Sequence, residues 1–75
     1  MTQHPPLKVG VAGAGGMGRN HARVLADIRD FALTHVFDAD AATAEGVAAV
    51  HGATGVSALD AFVGAARALG LFLFR

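Results

Sequence analysis

Val9-Gly10-Val11-Ala12-Gly13-Ala14-Gly15-Gly16-Met17-Gly18 reads as a short apolar strand running into a Gly-x-Gly-x-x-Gly turn. A helical pattern follows at once, from about Gly16 to Asp27. That order gives the glycines their meaning. The pyrophosphate of a dinucleotide is held by backbone N–H groups at a helix N-terminus, where the partial positive charge of the helix also lies. Each glycine has its own task. Gly13 permits the tight turn. Gly15 lets the backbone approach phosphate with no Cβ in the way. Gly18 lets the helix pack close to the strand.

Outward from this stretch, the apolar pattern alternates between strand and helix. Leu7 to Ala12 is apolar or Gly after Lys8, as in a parallel strand covered on both faces. In the first helix, Met17, Val24, Leu25 and Ile28 share one face, while Arg19, Arg23 and Asp27 form a solvated one. Phe31 to Phe37 is a second strand, ending at Asp38. A second helix is predicted from Ala41 to His51, with Asp40 as N-cap and Gly52 just past its end. Gly46 in its interior costs about 1 kcal/mol relative to Ala. Ala53 to Val56 is a short third strand. Ser57 to Asp60 reads as a capping box opening a third helix to Leu69, with Leu59, Phe62, Val63, Ala66 and Leu69 as its apolar face. Gly70 stops it.

The fold class expected is α/β, a truncated Rossmann-type parallel sheet comprising the opening β-α-β-α half. The organisation expected is a flexible lead-in over 1–6, a partial dinucleotide-binding domain over 7–70, and a divergent tail or fourth strand over 71–75. With only half a doubly wound sheet, the far side of the first strand is expected to be unpaired. Such an edge invites self-association.

Composition narrows the function. The chain has 75 residues, six basic and six acidic side chains and no Cys. A neutral chain without a basic stripe is a poor nucleic-acid binder. No apolar run is long enough for a membrane helix, and the leading segment makes a poor signal peptide. Absence of both Cys and a signal points to the cytosol. The four histidines show no metal-ligand spacing, and no nucleophile with an adjacent base is visible.

Asp38 completes the cofactor reading. It lies at the end of the second strand, twenty positions after Gly18. A carboxylate there accepts hydrogen bonds from the adenosine ribose and repels a 2′-phosphate. No Arg or Lys lies within Ala39 to Thr43, so NAD is favoured over NADP. The alternative reading of Asp38 is that it only opens a turn. Of the remaining residues, His21 reads as a local packing group, His35 as a core or edge residue, and His51 as a cation favourable to the end of its helix. Arg19, directly after the third glycine, reads as a solvated helix residue or, alternatively, as one that reaches a phosphate, and Lys8 reads as structural.

The run Leu7 to Ala22, with Gly18-Arg19-Asn20-His21-Ala22 at its end, resembles the start of the glucose-fructose oxidoreductase/inositol dehydrogenase (Gfo/Idh/MocA) family. So do Val36-Phe37-Asp38-Ala39-Asp40 and the stretch from Gly52 to Asp60. The resemblance covers about Leu7 to Phe62. It implies an NAD(P)-binding Rossmann domain and, in full-length relatives, hydride transfer on sugars, inositols and related polyols. It places Gly13, Gly15, Gly16, Met17 and Gly18 at the pyrophosphate and Asp38 at the ribose. From about Val63 onward two readings stand, a family-like continuation or a divergent or out-of-frame tail, and Gly70 to Arg75 does not look like the family's next strand. The family's Glu-Lys-Pro segment, whose lysine serves catalysis, has no counterpart here, nor has the substrate domain. No catalytic residue is therefore assigned, and no dehydrogenase turnover is expected of this chain alone. The alternative function is a non-catalytic Rossmann module acting only in binding or self-association.

Overall fold

The computed structural model describes residues 6–13, 15 and 17–75. Four strands and three helices alternate: β1 (Leu7–Ala12), α1 (Met17–Asp27), β2 (Phe31–Phe37), α2 (Ala41–His51), β3 (Thr54–Val56), α3 (Leu59–Leu69) and β4 (Phe72–Phe74). The strands form one sheet in the order β3-β2-β1-β4, and every pairing is parallel. This is the opening of a doubly wound α/β fold. The chain steps from β1 outward to β3, then crosses back to the other side of β1.

The sheet corrects one expectation directly. The far side of β1 is paired, because Val9, Gly10 and Val11 align with Phe72, Leu73 and Phe74. The outer edges of the sheet belong to β3 and β4.

Side-chain alternation along β1 sorts the two faces. Val9 and Val11 are fully buried in a cluster with Ala22 and Leu25 of α1, Val36 of β2, and Val47 and Ala48 of α2. Gly10 faces the opposite way, where a Cβ would lie 3.1 Å from Cζ of Phe62 in α3. Helices α1 and α2 therefore cover one face, and α3 covers the other.

The helices use their small residues to reach the sheet. On α1 the buried positions are Gly18, Ala22 and Leu25, whereas Val24 and Ile28 are exposed. The face expected through Met17, Val24, Leu25 and Ile28 is thus rotated, and only Leu25 of its described side chains is buried. On α2 the buried residues are Ala44, Val47 and Ala48.

In β2 one extra residue resets the alternation. Leu33 pairs with Val9 and His35 with Gly10, so Thr34 is bulged. A regular strand would put Leu33 and Val36 on opposite faces. The bulge lets both pack against the same core cluster. The Thr34 hydroxyl is satisfied locally, donating to the Val9 carbonyl at 3.3 Å. Half-buried His35 joins it through Nδ1, 2.9 Å from Thr34 Oγ1.

Helix ends follow the sequence signals unevenly. Gly52 and Gly70 are the left-handed C-caps of α2 and α3. Asp40 is the N-cap of α2; its carboxylate takes the Thr43 hydroxyl rather than a backbone N–H. The expected Ser57 capping box does not form. The N-cap of α3 is Ala58, with no side-chain cap hydrogen bond, and the Phe62 N–H donates to the Ala58 carbonyl at 3.1 Å. Of the apolar face expected for α3, only Phe62 is buried.

Candidate functional site

The parallel register brings the carboxyl ends of three strands into line. Ala12 pairs with Phe37, and Phe37 with Val56. The ladder continues past the strands. The Gly13 N–H donates to the Phe37 carbonyl at 2.7 Å, and the Asp38 N–H donates to the Val56 carbonyl at 3.1 Å. Gly13 and Asp38, far apart in sequence, are thereby neighbours at the end of the sheet. In open α/β sheets this carboxyl end is where ligands bind.

Each glycine of the turn occupies a different physical situation. Gly13 has φ +93°, a conformation that strains any residue with a Cβ. At Gly18 the constraint is space. A Cβ there would lie 1.3 Å from the Gly13 carbonyl oxygen, an overlap no side-chain movement can relieve. This glycine is what allows α1 to start against the end of β1. The turn is closed by the Gly18 N–H donating to the Gly15 carbonyl at 2.9 Å.

Gly15 differs from both. A Cβ built there would meet no described atom within 4 Å. Among the described residues, none crowds this exposed position. The open space above it is a cradle that a Cβ would fill, which fits close approach of a bulky anion to the backbone. Met17 is the first residue of α1, so the N-terminal end of that helix faces the same turn. Gly16 lies outside the described residues.

Asp38 is exposed less than its neighbour Asp40 and is already engaged. Its Oδ1 accepts the Asp40 N–H at 2.8 Å, an Asx-type turn that shapes the entry to α2. The turn-forming and ribose-binding readings of Asp38 are therefore compatible. Both readings use the carboxylate as an acceptor, and the hydrogen bond from the backbone helps to fix its direction.

The weaker candidates are dispersed. Lys8 is exposed on β1, and His35 sits mid-strand on β2. His21 is half-buried in α1, and His51 half-buried in the last turn of α2. Among the described residues no group of three or more His, Asp or Glu is placed to hold a metal ion. No helix among them is long and apolar enough to cross a membrane. Arg19 and Arg23, read from sequence as a solvated face, line a groove between α1 and α2. Sequence spacing could place them on one side of a helix but could not say that α2 would run beside it.

A shallow groove of about 350 Å³ opens where β1 and β4 lie side by side. Its walls include Ala12, Phe62, Val63, Leu73 and Phe74. The helix that follows β1 (α1) and the helix that precedes β4 (α3) lie on opposite faces of the sheet. The groove adjoins Gly13 through Ala12.

No curated protein and no solved structure matches the chain significantly. The family model described as "Oxidoreductase family, NAD-binding Rossmann fold" matches residues 7–69, reaching past Phe62 to the last residue of α3. With that match spanning most of its length, the chain belongs to the GFO_IDH_MocA oxidoreductase family.

Proposed function

We propose that the chain binds NAD, in preference to NADP, as the cofactor-gripping unit of an oxidoreductase acting on sugar- or polyol-type substrates. The observation that carries this reading is the hydrogen bond from Gly13 to Phe37, which sets the glycine turn beside Asp38. The backbone from Gly13 through Gly15, Gly16, Met17 and Gly18 takes the pyrophosphate, at the N-terminal end of α1. Asp38 accepts from the ribose hydroxyls and disfavours a 2′-phosphate by charge. Bound there, the nicotinamide supplies hydride transfer, and the protein contributes binding and orientation. The substrate class rests on the family resemblance. No residue of this chain is assigned to the chemical step.

Isothermal titration of the purified chain with NAD and NADP tests the proposal. Saturable NAD binding is expected, with NADP weaker. Asp38→Ala removes both the ribose contact and the turn bond to Asp40. Asp38→Asn keeps an acceptor for that N–H but removes the charge. Both should weaken NAD by about tenfold or more, the size of a lost charge-assisted hydrogen bond, and Asp38→Asn should narrow the gap between NAD and NADP. No heat with either cofactor at millimolar concentration would sink the proposal.

A further inference from the structure

A second concavity starts near the strand ends, at Arg19 and Thr43 in the first turns of α1 and α2, and runs to His51 at the end of α2. It is a groove of about 640 Å³ between the outer surfaces of α1 and α2. Its α1 wall carries Arg19 and Arg23, one helical turn apart. Its α2 wall carries Gly46, Val50 and His51. Among the described residues no acidic side chain lines it. Both arginines are exposed, and Val50 is 76% exposed although apolar. The groove thus combines an apolar wall with a cationic rim.

Gly46 supplies an independent clue. Glycine in a helix interior is destabilising relative to alanine, so its presence needs a reason. No described residue provides one. Gly46 has no positive φ, and a Cβ there would meet nothing within 4 Å. Its effect is to leave a notch in the groove wall.

We propose that this groove docks an amphipathic helix from another protein, one carrying acidic side chains a turn apart. Two carboxylates at that spacing match Arg19 and Arg23, since side chains four residues apart stand above one another on both helices. The apolar stripe of the incoming helix lies on Val50, and one of its side chains enters the notch at Gly46. A groove between two neighbouring helices suits a third packed by ridges into grooves, and a missing Cβ lets it approach closely. A second copy of this chain does not meet the requirement. Its three helices carry one acidic residue each: Asp27, Glu45 and Asp60.

Fluorescence anisotropy tests this with the full chain and a labelled, helix-stapled peptide. The peptide bears two Glu one turn apart beside a Leu stripe. A control peptide has Lys in place of Glu. Saturable binding of the Glu peptide is expected, with the Lys peptide at least tenfold weaker. Arg23→Glu should weaken the Glu peptide about tenfold and improve binding of the Lys peptide, as charge complementarity requires. Gly46→Ala should raise the melting temperature yet weaken the Glu peptide about tenfold, so its loss cannot be put down to misfolding. The proposal is overturned by absence of binding, by equal binding of the two peptides, or by unchanged affinity in either variant. It is also overturned if free glutarate binds as tightly as the Glu peptide, which would make the groove a small-anion site. A dimer that Arg23→Glu dissociates would likewise assign the groove to a second copy.

Discussion

The two faces of the sheet are built to different standards. On the α1/α2 face, Val9, Val11 and Val36 are fully buried, and Ala22, Leu25, Val47 and Ala48 close over them. On the α3 face the burial rests on one ring, Phe62, which lies over Gly10 and 5.5 Å from the Phe37 ring. Leu59, Val63 and Leu69 of α3 remain 57%, 37% and 44% exposed. The β4 side chains Phe72, Leu73 and Phe74 are also exposed. Geometry explains the contrast. Four strands at about 4.8 Å spacing make a sheet wider than the roughly 10 Å diameter of one helix. Two adjacent crossover helices span it. A single returning helix does not. The more densely buried part of this chain is therefore β1-α1-β2-α2-β3, with α3 and β4 added across β1.

Breaking the weaker face at its one anchor should have the largest effect. Phe62→Ala removes a fully buried ring, and losses of about 3–5 kcal/mol are typical of such changes. That is a large part of the roughly 4–11 kcal/mol expected of a chain this size. Urea unfolding measures it. A smaller loss than Val36→Ala causes on the opposite face would mean that the α3 face is not held by a single ring.

The glycine turn sharpens the comparison at the junction of the two faces. Gly18→Ala drives a methyl group into the Gly13 carbonyl and should cost about 1–3 kcal/mol or more, with cofactor binding lost alongside. Gly15→Ala should leave stability within about 0.5 kcal/mol, because its Cβ meets no described atom, and still abolish NAD binding. The pair separates a glycine required by the fold from one required by a ligand. Equal destabilisation by the two would remove that distinction.

The smallest effect should come from the exposed side of β4. Phe72→Ser is expected to change the unfolding free energy by no more than about 0.5 kcal/mol, since the ring is 55% exposed. A loss above 1 kcal/mol would show that β4 is anchored through that side chain and not through its backbone ladder to β1.

Much of this was legible in the chain itself. The strand, turn and helix order around Gly13 to Gly18 depends on local rules, as do the ends of α2 and α3 at Gly52 and Gly70. The buried stripe of α1 was not legible from hydrophobicity. Gly18 and Ala22 face the sheet because close approach favours small side chains over large apolar ones. The Thr34 bulge was hidden too, since Phe31 to Phe37 is a competent strand in either phase. The Ser57 capping pattern failed one residue from the observed N-cap, where a local hydrogen-bond preference yields to the placement of Phe62 on Gly10.

The sequence by itself determined the α/β alternation, the glycine turn and the presence of an acid after the second strand, because each is a short-range pattern of size, charge and backbone freedom. Only the tertiary structure decided that β4 returns to pair with β1, that Gly13 and Asp38 become neighbours, and that Arg19 and Arg23 face α2 across a groove. Those outcomes depend on sheet order and helix placement, which bring together residues that no local pattern relates.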